Sequence, residues 1–278
     1  MPHFTASDGA KIAYADSGRG RPLLLLHGLM AHRGFFQFQA SLADQFRLIE
    51  VDLRGHGASR RPGETPDVAQ LAGDVAGLCQ QLDLQDAIGV GWSLGATVLW
   101  HVLSGPAADR FAASVIIDMT PRVLNEGAWQ LGLSDEACEA RSAAMKDDFE
   151  AFATGAGYAI FAQPLDARTA PLAAWAGEEF ARNDPAAIGA LWESLVEQDV
   201  RPLLADIAQP TLIVHGAQSG LYGSGTADYL AAALPNARAL PFARSGHAPH
   251  LEQPELFNTA IREFAASLPR VREDQATH

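Results

Sequence analysis

One serine stands between two glycines in Ile88-Gly89-Val90-Gly91-Trp92-Ser93-Leu94-Gly95-Ala96, where an apolar run gives way to a helix-like stretch. A serine hydroxyl attacks a carbonyl only when a base takes its proton, so this nucleophile needs a histidine within hydrogen-bond reach. Nine histidines are present. His247, in Ala243-Arg244-Ser245-Gly246-His247-Ala248-Pro249-His250, follows a glycine in a loop between the last strand-like and last helix-like runs, which brings it to the sheet edge that carries Ser93. His250 is its rival and reads instead as an exposed loop side chain or a contact at the start of the following helix. His27 and His56 read as structural, with rings bonded to surrounding loop backbone. Acyl transfer also needs two N–H donors for the oxyanion. Leu94 opens the helix after Ser93, so its N–H has no partner within that helix, and Leu29, after Leu26-His27-Gly28, is the second candidate.

Such a site requires a strand that ends in a tight turn into a helix, and the surrounding pattern supplies it. Apolar runs predict strands at Lys11–Asp16, Pro22–His27, Phe46–Asp52, Ala87–Gly91, Ser114–Asp118, Thr211–His215 and Ala237–Phe242. Helical spacing predicts Phe35–Ala43, Val68–Leu82, Leu94–Ser104, Ala227–Ala233 and Pro254–Leu268 between them. The alternation predicts an α/β fold: a mostly parallel central sheet flanked by helices. Between Thr120 and Ala208 the pattern turns helical and alanine-rich, so residues 1–119 and 209–278 are expected to form the core and residues 120–208 an inserted helical cap. The polar tail, residues 270–278, is expected to fray.

Composition narrows the function classes. The net charge of −13 argues against a nucleic-acid partner, which demands a basic patch. No apolar run approaches the roughly 20 residues of a membrane span, and the start lacks a basic, apolar signal segment, so a cytoplasmic location is expected. Two cysteines, Cys79 and Cys138, are too few for a disulfide framework or a cysteine zinc site and are expected reduced.

His27-Gly28, Asp52-x-Arg54-Gly55-His56-Gly57-x-Ser59, Gly91-x-Ser93-x-Gly95 and Gly246-His247 occur in an order that resembles the α/β-hydrolase superfamily. The segments Gly91-Trp92-Ser93-Leu94-Gly95 and His247-Ala248-Pro249 look particularly like the pimeloyl-ester carboxylesterases. The resemblance implies an α/β-hydrolase fold and a carboxylic ester or lactone as small-molecule substrate, with no metal or organic cofactor. Related enzymes place a carboxylate after the strand that here runs Thr211-Leu212-Ile213-Val214-His215, but the matching position is Ser219. Asp118, at the end of the preceding strand, is the alternative: some members carry their acid there, and no Asp or Glu lies between Asp206 and Asp228. Asp118 also reads as a cap on backbone N–H groups after Met119. Asp52 is assigned to its own Arg54-Gly55-His56-Gly57 turn.

The expected function is therefore a serine hydrolase with catalytic Ser93, His247 and Asp118 and an oxyanion hole at Leu29 and Leu94. Phe35, Phe36, Trp92, Trp129, Trp175 and Trp192 are candidates to line an apolar substrate pocket, with core packing as the alternative for each. Two other readings stand beside it. Cofactor-free quinolone dioxygenases also resemble this chain and use a His–Asp base, and hormone receptors of similar fold have turned such a site into a ligand-sensing pocket. The sequence does not set the oligomeric state.

Overall fold

Leu23, Leu24, Leu25 and Leu26 are all fully buried, although successive side chains of a strand point to opposite faces, so their strand is covered on both sides. The computed structural model describes residues 1–269, and the predicted frayed tail, 270–278, lies outside the described residues. Eight strands are present: β1 His3–Thr5, β2 Lys11–Gly18, β3 Arg21–Leu26, β4 Phe46–Val51, β5 Ala87–Trp92, β6 Phe111–Ile117, β7 Thr211–Gly216 and β8 Ala237–Phe242. They form one sheet in the order β1-β2-β4-β3-β5-β6-β7-β8. The pairs β1–β2 and β2–β4 are antiparallel, and every other pair is parallel. All seven predicted strands form. The addition, β1, is a three-residue edge strand, too short for periodicity and held by antiparallel pairing with β2 across a hairpin, Phe4 opposite Ile12.

The helices are α1 Val68–Gln81, α2 Leu94–Leu103, α3 Asp135–Asp147, α4 Phe149–Ala159, α5 Thr169–Ala181, α6 Pro185–Glu197, α7 Ser224–Ala233, α8 Pro249–Glu252 and α9 Pro254–Ser267. Sequence chemistry explains their starts: Asp67 and Gln70 form a reciprocal capping box on α1, and Ser134, Asp148 and Asp184 cap α3, α4 and α6. The predicted helix at Phe35–Ala43 is corrected to a 3-10 segment, Arg33–Asp44, kinked at Phe36. The cause is that neighbouring Phe35 and Phe36 are both fully buried, Phe35 against Trp92 and Phe180 and Phe36 against His250. A regular helix would turn one of the two away.

Helices α3 to α6 lie between β6 and β7 and add no strand to the sheet among the described residues. Within them α4 and α5 cross closely enough that a Cβ on Gly157 would stand 2.1 Å from Gly177 N, so only glycine fits there. Cys79 and Cys138 are free and buried. No helix among the described residues is long and apolar enough to cross a membrane.

Candidate active site

The chain leaves β3 toward β4 on one side, then returns through α1 to β5 on the other, so the loops after β3 and β5 diverge. A crevice opens at such a reversal of strand order. Ser93 sits at its floor, between β5 and α2, with φ 52° and ψ −119°. Its strain is held by close packing: a Cβ on Gly95 would stand 2.2 Å from Leu26 O, and one on Gly91 2.6 Å from Gly95 O. The Ser93 N–H donates to Ile117 O at 3.1 Å. Ser93 Oγ has no hydrogen-bond partner among the described residues, and the hydroxyl faces the cavity that His247 also lines.

His247 Nδ1 lies 2.7 Å from Asp118 Oδ2, with both residues buried. Asp118, just past β6, takes φ 44° and is fixed by its own N–H, which donates to Val214 O at 2.8 Å. Its Oδ1 accepts from Gly216 N at 3.1 Å, and its Oδ2 also accepts from Ser219 Oγ at 2.7 Å. The carboxylate therefore makes no cap after Met119 among the described residues. Ser219 occupies the position where the resemblance led one to look for an acid, and donates to the acid that is present. The His247 ring is further held by its loop: the His247 N–H donates to Ile160 O at 2.8 Å, and Trp92 Nε1 donates to His247 O at 2.8 Å.

The oxyanion candidates also converge. A Cβ on Gly28 would come within 3.2 Å of Ser93 Cβ, which places the backbone just before Leu29 against the serine. Leu94 is the first residue of α2, and neither its N–H nor that of Leu29 is bonded among the described residues.

His27 and His56 serve the scaffold. His27 Nε2 accepts from Leu53 N at 2.9 Å with Nδ1 2.8 Å from Gly28 O, and His56 Nε2 accepts from Met30 N at 3.1 Å. Burial pushes both down to about 3, so both rings are neutral at neutral pH. Asp52 ties its turn together by accepting from Ala58 N and Arg33 N. His250 requires correction: the helix-start contact holds, since it lies in α8, but it is fully buried rather than exposed, packed on Trp92 and Phe36.

A cavity of about 410 Å³ stands above Ser93 and His247, walled by the sheet edge and by α3, α4 and α6. Trp92 and Trp192 reach it. Phe35, Phe36, Trp129 and Trp175 do not, and the correction has a packing cause. Phe35 is enclosed by Trp92, Trp175 and Phe180, Phe36 by His250, and Trp129 packs on Tyr229 with Arg201 over its ring. The rest of the lining comes from Phe152, Phe180 and Tyr222 together with smaller side chains such as Met145, Ala156 and Leu195, which no motif marks. Among the described residues no group of three His, Cys, Asp or Glu side chains is placed to hold a metal ion.

Glu252 carries a role that the sequence reading missed. Buried behind the His247 loop, its Oε1 accepts from Gly246 N at 2.7 Å and its Oε2 from Ala162 N at 2.8 Å, stitching that loop to the end of α4. Its sequence signal is weak, a single carboxylate at the end of Pro249-His250-Leu251-Glu252. Burial pushes this carboxyl up to about 7, against the pull of the N–H groups of Ala162, Gly246 and Ala248. A raised acid binds a proton in the folded state that the unfolded chain has already lost, so its stabilisation is complete below pH 4.5 and fades as pH rises through about 7. The difference in unfolding free energy between the wild type and Glu252→Gln is expected to shift by on the order of 3 kcal/mol from pH 4 to 8, read by urea denaturation. A pH-independent difference would refute that assignment.

A profile described as the Alpha/beta hydrolase family matches residues 23–260. The chain is 30% identical over 252 residues to a pimeloyl-[acyl-carrier protein] methyl ester esterase of Nitrosomonas europaea, covering 89% of this chain and 97% of that one. Among solved structures it superposes on an esterase from Exiguobacterium antarcticum with a TM-score of 0.89 at 25% identity, covering 95% of this chain and 99% of the other. An esterase from Rhodococcus sp. ECU1013 follows at TM-score 0.84 and 26% identity, covering 96% and 98%.

Proposed function

The chain belongs to the alpha/beta hydrolase family, and from that premise we propose that it cleaves a carboxylic ester or lactone through an acyl-enzyme on Ser93. The observation that carries this reading is the 2.7 Å contact between His247 Nδ1 and buried Asp118, beside a strained serine that opens on the same apolar cavity. His247 Nε2 takes the Ser93 proton as Oγ attacks the carbonyl, while Asp118 holds the ring with Nδ1–H toward its carboxylate and stabilises the imidazolium. The N–H groups of Leu29 and Leu94 receive the oxyanion. Collapse of the tetrahedral intermediate passes the proton from His247 to the leaving alcohol, and water then repeats the sequence to release the acid. Residues 120–208 act as a lid over a core made, among the described residues, of 1–119 and 209–269, and shape what reaches the serine. A small-molecule ester with an apolar body suits the largely carbon-lined cavity. Relatives named as esterases support the same reaction class.

The acid position also suits a cofactor-free dioxygenase, in which the His247–Asp118 pair would deprotonate a heterocycle for reaction with oxygen. Oxygen dependence separates the two. Hydrolysis of p-nitrophenyl butyrate is expected at the same rate in air and under argon. A purified protein that leaves short esters and lactones untouched, yet consumes oxygen with a hydroxyquinolone, would overturn the hydrolase reading.

A further inference from the structure

Once Ser93 and His247 are assigned, two polar side chains in the cavity remain unused. Arg141, on α3, lines the cavity and is partly buried. Its one hydrogen bond runs from Nη1 to Ala137 O, 3.3 Å away in its own helix, and no carboxylate lies within 4 Å among the described residues. That is unusual for a partly buried arginine of this chain: the others without a carboxylate partner among the described residues, Arg19, Arg60, Arg61, Arg168, Arg238 and Arg244, are all exposed. The chain carries 33 acidic residues against 20 basic ones, and arginines such as Arg33, Arg54, Arg122 and Arg201 all contact carboxylates. The sequence around Arg141 is consistent with this: Ala137, Cys138, Ala144 and Met145 occupy the helical neighbour positions, so no acid is offered at the spacings where pairs form.

Tyr222 is the second. It is 8% exposed and lines the same cavity, its ring centroid 6.1 Å from that of His247, and its hydroxyl has no hydrogen-bond partner among the described residues. Ser219 positions it, because the Ser219 Oγ that donates to Asp118 stands 3.3 Å from Leu221 N and 3.5 Å from Tyr222 N. Burial pushes the Tyr222 phenol up, so it remains a donor, and the Arg141 guanidinium is close enough to act on it in the opposite direction. A guanidinium with one 3.3 Å backbone bond and no carboxylate, and a phenol O–H with no acceptor among the described residues, leave donors to spare in a cavity walled largely by carbon.

We propose that Arg141 and Tyr222 form an anion-recognition site beside Ser93, and that the substrate is an ester or lactone bearing a carboxylate of its own. This rests on the hydrolase reading above, which supplies the reacting bond. The carboxylate accepts from the guanidinium and the phenol, the apolar spacer contacts the cavity wall, and the ester carbonyl meets Ser93. Charge-assisted hydrogen bonds of this kind are the strong ones, and in a carbon-lined site they dominate selectivity.

The test compares mono-p-nitrophenyl esters of succinic, glutaric and adipic acids with p-nitrophenyl alkanoates of matching length. The wild type is expected to favour at least one acid ester by kcat/KM, and Arg141→Met to lower that value by roughly 10- to 100-fold, mainly through KM. Alkanoate turnover falls far less in the same variant, Arg141→Lys restores part of the acid-ester rate, and Tyr222→Phe repeats the loss at a smaller scale. No preference for any acid ester, or an equal loss on both substrate classes, overturns the proposal. If neither class is hydrolysed the hydrolase reading falls by itself, and the anion site is then judged by tryptophan-fluorescence titration with free glutarate and adipate. Binding by the wild type that Arg141→Met abolishes sustains the site, and absence of binding removes it.

Discussion

Ser93→Ala is expected to lower kcat for p-nitrophenyl butyrate by about 10⁴-fold or more, with little change in KM. The size follows from what the hydroxyl does and does not do. Its Oγ makes no hydrogen bond among the described residues, so its removal leaves no buried group unpaired. The backbone strain at φ 52° is imposed by neighbouring glycines that the substitution does not touch. Thermal stability should therefore stay close to that of the wild type, and the rate loss reports chemistry instead of unfolding. Residual turnover would come from the Leu29 and Leu94 N–H groups polarising a bound carbonyl toward water. A variant that keeps more than about a tenth of wild-type kcat would remove the acyl-enzyme from the mechanism, since a nucleophile contributes far more than one decade.

The elements that hold Ser93 were legible because their physics is local. A strand buried on both faces is a run of apolar residues, and a strand-to-helix turn around a strained serine requires the glycines that Gly91 and Gly95 supply. His247 was legible from its place after the final strand. Glu252 and Arg141 were not, because their surroundings come from segments about 80 to 90 residues apart in the chain: Ala162 meets Glu252, and Arg141 and Tyr222 share a cavity only where α3 crosses it. Four of the six aromatic lining candidates, Phe35, Phe36, Trp129 and Trp175, failed for a related reason. Which face of Phe35 or Trp175 is covered depends on packing partners, and those two rings pack on each other at a tilt, centroids 4.5 Å apart, and do not reach the cavity. His250 repeats the point, a histidine in a loop-like sequence that tertiary contacts bury completely.

The acid is where one substitution should separate two positions in contact. Asp118 and Ser219 touch through a 2.7 Å bond, so proximity alone does not say which of them governs His247. Charge does. Asp118→Asn keeps the size of the side chain but replaces the acceptor facing Nδ1 with a neutral amide that cannot stabilise imidazolium and can turn the ring into the wrong tautomer, so kcat is expected to drop by about 10³- to 10⁴-fold. Ser219→Ala removes one of the three donors to the Asp118 carboxylate and leaves the Gly216 N–H and the His247 ring in place, so its cost should be less than about tenfold. The double variant Asp118→Asn/Ser219→Asp sharpens the comparison. Ser219 Oγ lies as close to Asp118 Oδ2 as the His247 ring does, so a carboxylate at position 219 enters the same small volume and should recover at least tenfold of the lost rate. Ser219→Asp on its own should be harmful, since two buried carboxylates would then compete for one site and raise each other's proton affinity. Equal losses for Asp118→Asn and Ser219→Ala would make Asp118 a scaffold group and leave His247 without a charged partner. The predicted inequality of at least a hundredfold instead ties the chemistry to the end of β6, one strand before the position where the resemblance led one to look.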